Sequence, residues 1–250
     1  MLKIIINGCG GRMGAVLGDL ITRSKGAQVV GGIDVVSASR PYPLFSSLKE
    51  CTVEADVLID FSSPAGLIAQ LETAVERTLP IVAATTGLDD NDLKQLEAAS
   101  QFIPIFRSAN MSVGINLVQQ LLHTAAKVLE EGFDVEIIEK HHNQKKDAPS
   151  GTALMLADSI NVSRSTPLHY TYGREGKEAK RSENELGIHA VRGGTIVGQH
   201  EVIFAGDDEI ITISHQAFSR QVFAVGALKA AFFIVGKQPG TYAMSDLISS

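Results

Sequence analysis

The chain has 250 residues, 44% of them hydrophobic and 20% charged, with a formal charge of −6. That length and balance suit an ordinary folded enzyme of one large domain or two modest ones, and exclude a disordered segment. The negative balance argues against affinity for nucleic acid through phosphate neutralisation, and the only cysteines, Cys9 and Cys51, are too few for a disulfide framework or a zinc site.

The opening Met-Leu-Lys-Ile-Ile-Ile-Asn-Gly lacks a signal-peptide layout, and the apolar stretch 222–235 is too short for a membrane span and carries Lys229. A reducing, cytoplasmic setting without a membrane is the expectation. Over the first hundred residues, short β-branched runs at 3–7, 28–33, 57–61, 81–84 and 103–106 alternate with amphipathic stretches. This is the pattern of a parallel sheet flanked by helices. Directly after the first run stands Gly8-Cys9-Gly10-Gly11-Arg12-Met13-Gly14, whose G-x-x-G-x-x-G spacing is one residue off the usual dinucleotide fingerprint. Gly8 permits the tight turn, Gly11 lets backbone approach a pyrophosphate, and Gly14 lets the helix pack on the strand. The helix start then offers N–H groups to phosphates. Asp34, twenty residues past Gly14, closes the second run where a carboxylate can accept from ribose hydroxyls. A lone glycine triplet is also compatible with an unliganded turn; its place after the first strand and the presence of Asp34 favour the cofactor. For Cys9, a small side chain in a tight loop suffices. The segments 61–64 and 84–87 fall at strand ends and could line the same cleft.

Later helices are marked by Pro64 ahead of Leu67, Leu71, Ala74 and Val75, and by Asp89 and Asp90 ahead of Leu93 and Leu96. Ser112 can cap a long helix with Leu117, Leu121, Leu122, Ala125, Val128 and Leu129 on its apolar face. A strand at 134–139 follows, then a helix from near Ser150, then 163–187 as a long charged loop. Strands at 188–191, 195–204 and 209–214 are joined by Gly193-Gly194 and Gly206-Asp207-Asp208, which predict antiparallel hairpins. The helix 221–235 is apolar all round and is expected to be buried, returning to the first domain. The division is thus 1–112 with 222–250, and 113–221 as an inserted domain.

The run 136–153 is the most specific. Its first half places His141, His142 and Lys145 in one loop after a strand, groups able to move a proton near neutrality. The adjacent histidines do not match zinc spacing, so no metal is expected. Its second half, Ser150-Gly151-Thr152, opens a helix: Ser150 is an N-cap, and the N–H groups of Gly151 and Thr152 with the Thr152 hydroxyl make a carboxylate cradle. Lys140 or Lys145 would supply full positive charge.

This run resembles the signature E-[IV]-x-E-x-H-x-x-x-K-x-D-x-P-S-G-T-A of the 4-hydroxy-tetrahydrodipicolinate (dihydrodipicolinate) reductases, met by Glu136, Glu139, His141, Lys145, Asp147, Pro149 and 150–153. Gly10 to Gly14, the run Ser108-Ala109-Asn110-Met111-Ser112-Val113-Gly114 with Asn116, and the order of domains are similar too, so the resemblance covers essentially the whole chain. It implies an α/β fold: a Rossmann-like dinucleotide-binding domain with an inserted α+β sheet domain for substrate binding and oligomerisation, as a homotetramer. It implies reduction of a cyclic dicarboxylate by NADH and/or NADPH on the diaminopimelate route to lysine. By resemblance His141 is a proton donor or acceptor and Lys145 the proton donor, while His142, Gly151 and Thr152 hold substrate carboxylates. Gly8, Cys9, Gly10, Gly11, Arg12, Met13, Asp34, Ala84, Thr85, Thr86, Ser108, Ala109, Asn110 and Met111 hold the dinucleotide. Ala84 stands where the family commonly has Gly, which puts a methyl on the nicotinamide side. Met111 stands where an aromatic residue is common, and Val35-Val36-Ser37 where some members have Arg. Rival readings are another imino or amino acid dehydrogenase of the same plan, and a dinucleotide sensor without turnover; the His141, Lys145 and Ser-Gly-Thr set argues against the sensor.

Overall fold

A computed structural model describes residues 1–36 and 39–250; Ser37, expected to follow Asp34 beside the cofactor, lies outside the described residues. The chain forms two compact units, Met1–Val113 with Arg220–Ser250, and Gly114–Ser219. In chain order the elements are β1 (Leu2–Asn7), α1 (Arg12–Arg23), β2 (Ala27–Ile33), β3 (Leu44–Phe45), β4 (Val57–Asp60), α2 (Pro64–Glu76), β5 (Ile81–Ala83), α3 (Asp90–Ser100) and β6 (Pro104–Arg107). Next come α4 (Val113–Val128), β7 (Asp134–His141), α5 (Gly151–Ser163), β8 (His169–Tyr172), β9 (Glu185–Arg192), β10 (Gly198–Ala205) and β11 (Ile210–Ala217). The chain then returns to the first unit with α6 (Gln221–Ile234), β12 (Gly240–Tyr242) and α7 (Met244–Ile248).

The first unit holds a seven-stranded sheet in the order β12-β6-β5-β4-β1-β2-β3, with every pairing parallel. Alternation along β1 explains why both faces are covered. Ile4 and Ile6 pack with Leu17 and Ile21 of α1 and Ala224, Ala227 and Ala231 of α6. Ile5 faces the other way, onto Leu67, Leu71 and Ala74 of α2 and Leu96 and Ala99 of α3. Helix starts follow local chemistry: the Ser63 side chain accepts from Gly66 N–H ahead of Pro64, and Asp89 and Asp92 form a reciprocal capping box on α3. The fold is Rossmann-like, and β1 is its switch point, with β2 on one side and β4 on the other. Because all strands run one way, the loops after β6, β5, β4, β1 and β2 leave the same edge in that spatial order.

The second unit has a five-stranded mixed sheet, order β11-β10-β7-β9-β8. Its core face carries Val135, Ile137, Leu186, Ile188, Val202 and Phe204, covered by Val118, Leu122 and Ala126 of α4 and Ala153, Leu156 and Ile160 of α5. One expectation is overturned. Gly193-Gly194 does not close a hairpin, since β9 pairs in parallel with one side of β7 and β10 antiparallel with the other. The strand between them is the one whose apolar face both need, and the Gly-Gly segment instead laces onto the chain leaving β7. Gly193 N–H donates to His141 O at 2.9 Å and Asn143 N–H to Gly194 O at 3.2 Å. The connection Gly206-Asp207-Asp208 is a hairpin, with Ala205 opposite Ile210.

The stretch expected as one long loop contains β8 and the start of β9. Charge holds it to the sheet: Arg174 donates to Glu136 at 2.7 and 3.1 Å and pairs with Glu185, whose carboxyl its hydrogen bond draws down to about 2. Among the described residues no helix is long and apolar enough to cross a membrane, and no three His, Cys, Asp or Glu side chains are grouped to hold a metal.

Candidate active site

The glycine loop uses most of its own donors. Gly8 N–H donates to Ile33 O at 2.8 Å, Cys9 N–H to the same oxygen at 3.3 Å, and Gly11 N–H to Gly8 O at 3.1 Å. Gly10 N–H donates to Asp34 Oδ2 at 2.8 Å, while Asp34 Oδ1 accepts from Val36 N–H at 2.9 Å. The donors left to an anion are those at the start of α1, Arg12 and Met13, where no side chain caps the helix. Two glycines are fixed by space. Gly8 has φ +80°, and a Cβ on Gly14 would sit 2.3 Å from Gly8 O and 2.7 Å from Cys9 Cα. Beside the loop opens a cleft of about 600 Å³ lined by Gly8, Gly11, Asp34, Ser46, Phe61 and Ser62, among others. The bare backbone at Gly8 and Gly11, the open helix start and the half-used Asp34 carboxylate fit a dinucleotide.

Several predicted cofactor residues turn inward. Cys9 is fully buried against Gly32, and burial, then the Asp34 charge, raise its pKa, so it is an inert thiol. The Ala84 methyl and the Met111 side chain belong to the core with α6. Each ends a strand or loop with its apolar group on the helix-covered face. Thr85 is buried too, and its hydroxyl donates to Asp60. Asp60 is itself fully buried and also accepts from Asn7 Nδ2 at 2.7 Å and Ser62 Oγ at 2.5 Å. Burial raises its pKa against the pull of these donors. The cluster ties together the ends of β1, β4 and β5, under Gly8, Ser62 and Thr86. Thr86 and Ala109 are exposed at that edge, and Ser108 and Asn110 half-buried. Arg40 Nε donates to Cys9 O at 2.9 Å, which places a guanidinium beside Asp34 and the glycine loop.

In the second unit, strand register builds the other half of the chemistry. Glu139 and His141 share a face of β7, being two residues apart. On β9, Arg192 pairs with His141, and on β10, His200 pairs with Glu139. Glu139 is completely buried yet accepts from His141 Nδ1 at 2.6 Å, Arg192 Nη1 and Nη2 at 2.8 and 2.7 Å, and Ser150 N–H at 3.0 Å. Burial alone would raise its pKa; Arg192, His141 and Ser150 together hold it below the usual range. Burial pushes His141 down, with Lys145 and Arg192 adding to the effect against the pull of Glu139. Lys145 Nζ lies 2.9 Å from Asp147 Oδ1, and Lys145 N–H donates to His142 O at 3.2 Å. Ser150 Oγ accepts from Ala153 N–H at 3.2 Å, the predicted cap, and Gly151 and Thr152 form the first turn of α5 behind it. His142 is half-buried and Gly151 exposed, with open space where a Cβ would stand. Glu139, Arg192 and His200 had not been assigned a role from sequence. Only Glu139 carried a local sign, its two-residue spacing from His141 in a strand.

His200 gives the unit a pH dependence. Its ring, 5% exposed, contacts Ser150 Oγ through Nε2 at 3.0 Å and lies edge-to-face on His141 at 5.3 Å. Burial, then the nearby His141, lower its pKa to about 4. The unfolded chain protonates this ring near pH 6.5 and the folded chain only near 4, so each proton taken up in that window favours unfolding. Stability is expected to fall as pH drops from about 6.5 to 4, with roughly 3 kcal/mol from His200 alone. Denaturant melts across that range check it, and His200→Gln should flatten the slope.

Two family profiles match the chain: "Dihydrodipicolinate reductase, N-terminus" over residues 2–111 and "Dihydrodipicolinate reductase, C-terminus" over 114–248. The 4-hydroxy-tetrahydrodipicolinate reductase of Caldanaerobacter subterraneus is 55% identical over 248 residues, 99% of this chain and 98% of that one. The enzyme of the same name from Clostridium novyi is 48% identical over 251 residues, 100% of this chain and 99% of that one. Among solved structures, a dipicolinate-bound dihydrodipicolinate reductase from Paenisporosarcina sp. TG-14 superposes with a TM-score of 0.82 at 24% identity, over 98% of this chain and 99% of that one, a likeness of fold. With both halves matched and close relatives aligned end to end, the chain belongs to the dihydrodipicolinate reductase family.

Proposed function

We propose that the protein reduces 4-hydroxy-tetrahydrodipicolinate to tetrahydrodipicolinate with NADH or NADPH, on the diaminopimelate route to lysine. The observation that carries this is the helix start at Gly151 and Thr152, a cradle for a carboxylate, on the same short segment as Lys145 and His141. When bound, the reduced nicotinamide supplies the hydride. The start of α1 holds the pyrophosphate, and the remaining lone pairs of Asp34 accept from the adenine ribose. Gly151, Thr152 and His142 hold the substrate carboxylates. Loss of the 4-hydroxyl as water gives a conjugated dihydropyridine ring; hydride added at its C4 leaves an enamine, to which the Lys145 ammonium delivers a proton. The test is to generate the unstable substrate in place from pyruvate and aspartate semialdehyde with the upstream synthase, and to follow coenzyme oxidation. A purified protein that oxidises neither coenzyme overturns the reading.

NADH should serve at least as well as NADPH. The Asp34 carboxylate would repel a 2′-phosphate, against the cations Arg40, bonded to Cys9 O, and Arg12 at the start of α1. Steady-state kinetics with both coenzymes check this, and a hundredfold preference for NADPH contradicts it. Assembly as a homotetramer in the cytoplasm belongs to the same proposal. It is supported by exposed Ile210 and Ile211 on the edge strand β11, whereas Val202 is spent in the core, and sedimentation measures it.

Dipicolinate, the ligand in the Paenisporosarcina structure, presents two carboxylates on a planar ring and should compete with substrate here. Thr152→Val should weaken it by about 1.5–3 kcal/mol, the worth of one bond to a charged group. Inhibition constants for the two proteins give the answer; equal values would put the cradle elsewhere.

A further inference from the structure

We propose that Glu139 is a positioning residue that fixes the working tautomer of His141, holding the proton on Nδ1 so that Nε2 faces the reaction as an acceptor. The proposal rests on the reading that His141 serves the reductase reaction, and it divides the labour between His141 and Lys145.

Glu139 receives four donors: Oε1 takes Ser150 N–H and Arg192 Nη2, and Oε2 takes His141 Nδ1 and Arg192 Nη1. A buried carboxylate paired with a guanidinium stays an anion and can only accept. The hydrogen in the 2.6 Å contact therefore belongs to the ring, and a neutral ring then carries its lone pair on Nε2. Gly198 lets the ring lie where it does, since a Cβ there would crowd His141 Nε2 at 3.2 Å. The charged and titratable neighbours agree. Lys145 and Arg192 disfavour an imidazolium, Glu139 favours one, Asp147 is occupied by Lys145, and His200 against the ring is neutral. Burial decides the balance for the neutral form. The same carboxylate binds Ser150 N–H at the cap of α5, so it fixes the ring and the carboxylate cradle to one point. Lys145 is left as the proton donor, and His141 accepts a proton or a hydrogen bond from the substrate.

The test begins with the wild-type protein labelled with 15N-histidine, His141 being assigned by its loss in His141→Asn. Near neutral pH the expected result is a protonated Nδ1 and a bare Nε2. A bare Nδ1 overturns the proposal whatever the variants do. In Glu139→Gln the amide oxygen goes to the Ser150 and Arg192 donors and its NH₂ faces Nδ1, which moves the ring proton to Nε2. That variant should lose on the order of 10²-fold in kcat while its NADH affinity stays as in wild type. The acid limb of kcat/KM should move to lower pH, because the anion that raised the His141 pKa is gone. An unchanged tautomer and pH profile in Glu139→Gln, with His141→Ala inactive, overturns the role of Glu139 alone. A fully active His141→Ala overturns the underlying reading of His141 and this proposal with it.

Discussion

Lys145→Ala lowers kcat by about 10²–10⁴-fold and leaves NADH affinity close to wild type. The enamine left by hydride addition has to be protonated, and Lys145 stands on the short loop between His141 and the cradle, four residues past His141 and five before Ser150. Its Nζ is held by Asp147 at 2.9 Å with the side chain only 20% exposed, so it is aimed rather than free. Because the Asp147 partner is 58% exposed, the pair contributes at most about 1 kcal/mol to stability, so a large fall in kcat would not come from unfolding. The residues that fit the dinucleotide belong to the other unit, which is why binding and turnover should separate. Lys146 is exposed on the same loop, and Lys146→Ala should remain near wild type. Single-turnover rates with NADH titrations on the three proteins decide the matter; equal activity in the Lys145 and Lys146 variants removes Lys145 from the chemistry.

Gly14→Ala weakens NADH binding by roughly 10- to 100-fold, the worth of one bond to a charged group, and destabilises the first unit by about 1–3 kcal/mol. The added methyl would meet only backbone, Gly8 O at 2.3 Å and Cys9 Cα at 2.7 Å, and nothing there can swing aside. Relief requires the helix to back away from the loop, taking with it the Arg12 and Met13 N–H groups. Gly11→Ala is the graded comparison, with its nearest contact at 3.3 Å, and should do less of both. Fluorescence titration with NADH and thermal melts report the two effects, and a Gly14 variant that binds as wild type would show that α1 does not hold the pyrophosphate.

The parallel sheet was legible because its strands are short, β-branched and buried on both faces, and the helix starts at Pro64, Asp89 and Ser150 announce themselves locally. Two-residue β3 and three-residue β12 are too short to set a period. β8 hides in a charged stretch because it is only four residues long, with Tyr170 its contact to the apolar core, beside the charged cluster of Arg174, Glu136 and Glu185. The Gly193-Gly194 error has the same origin: turn residues tell where a chain bends, not which strand it will lie beside. In the site, the glycine loop and the His141–Thr152 segment could be read because each is contiguous. Arg192 and His200 could not, lying 53 and 61 residues from Glu139 and brought to it by register alone. The loop also kept one of its uses hidden, since Gly10 N–H, a natural phosphate donor by sequence, is already given to Asp34.

The first unit is assembled from two stretches of chain that are made at different times. Helix α6 puts Ala224, Ala227, Ala230 and Ala231 into the same core as Ile4, Ile6 and Val57, and the chain reaches it only after all of 114–219. Until then one face of the parallel sheet has α1 alone, and Phe106 lacks the ring of Phe233 that meets it edge-on at 6.1 Å. The second unit, continuous in sequence, can close on its own while the first waits. During synthesis the half that carries the acid cluster is therefore complete before the half that carries the glycine loop. A nascent chain halted at Ser219 would show protease resistance confined to 114–219, and the ability to retain NADH would arrive only with the final segment.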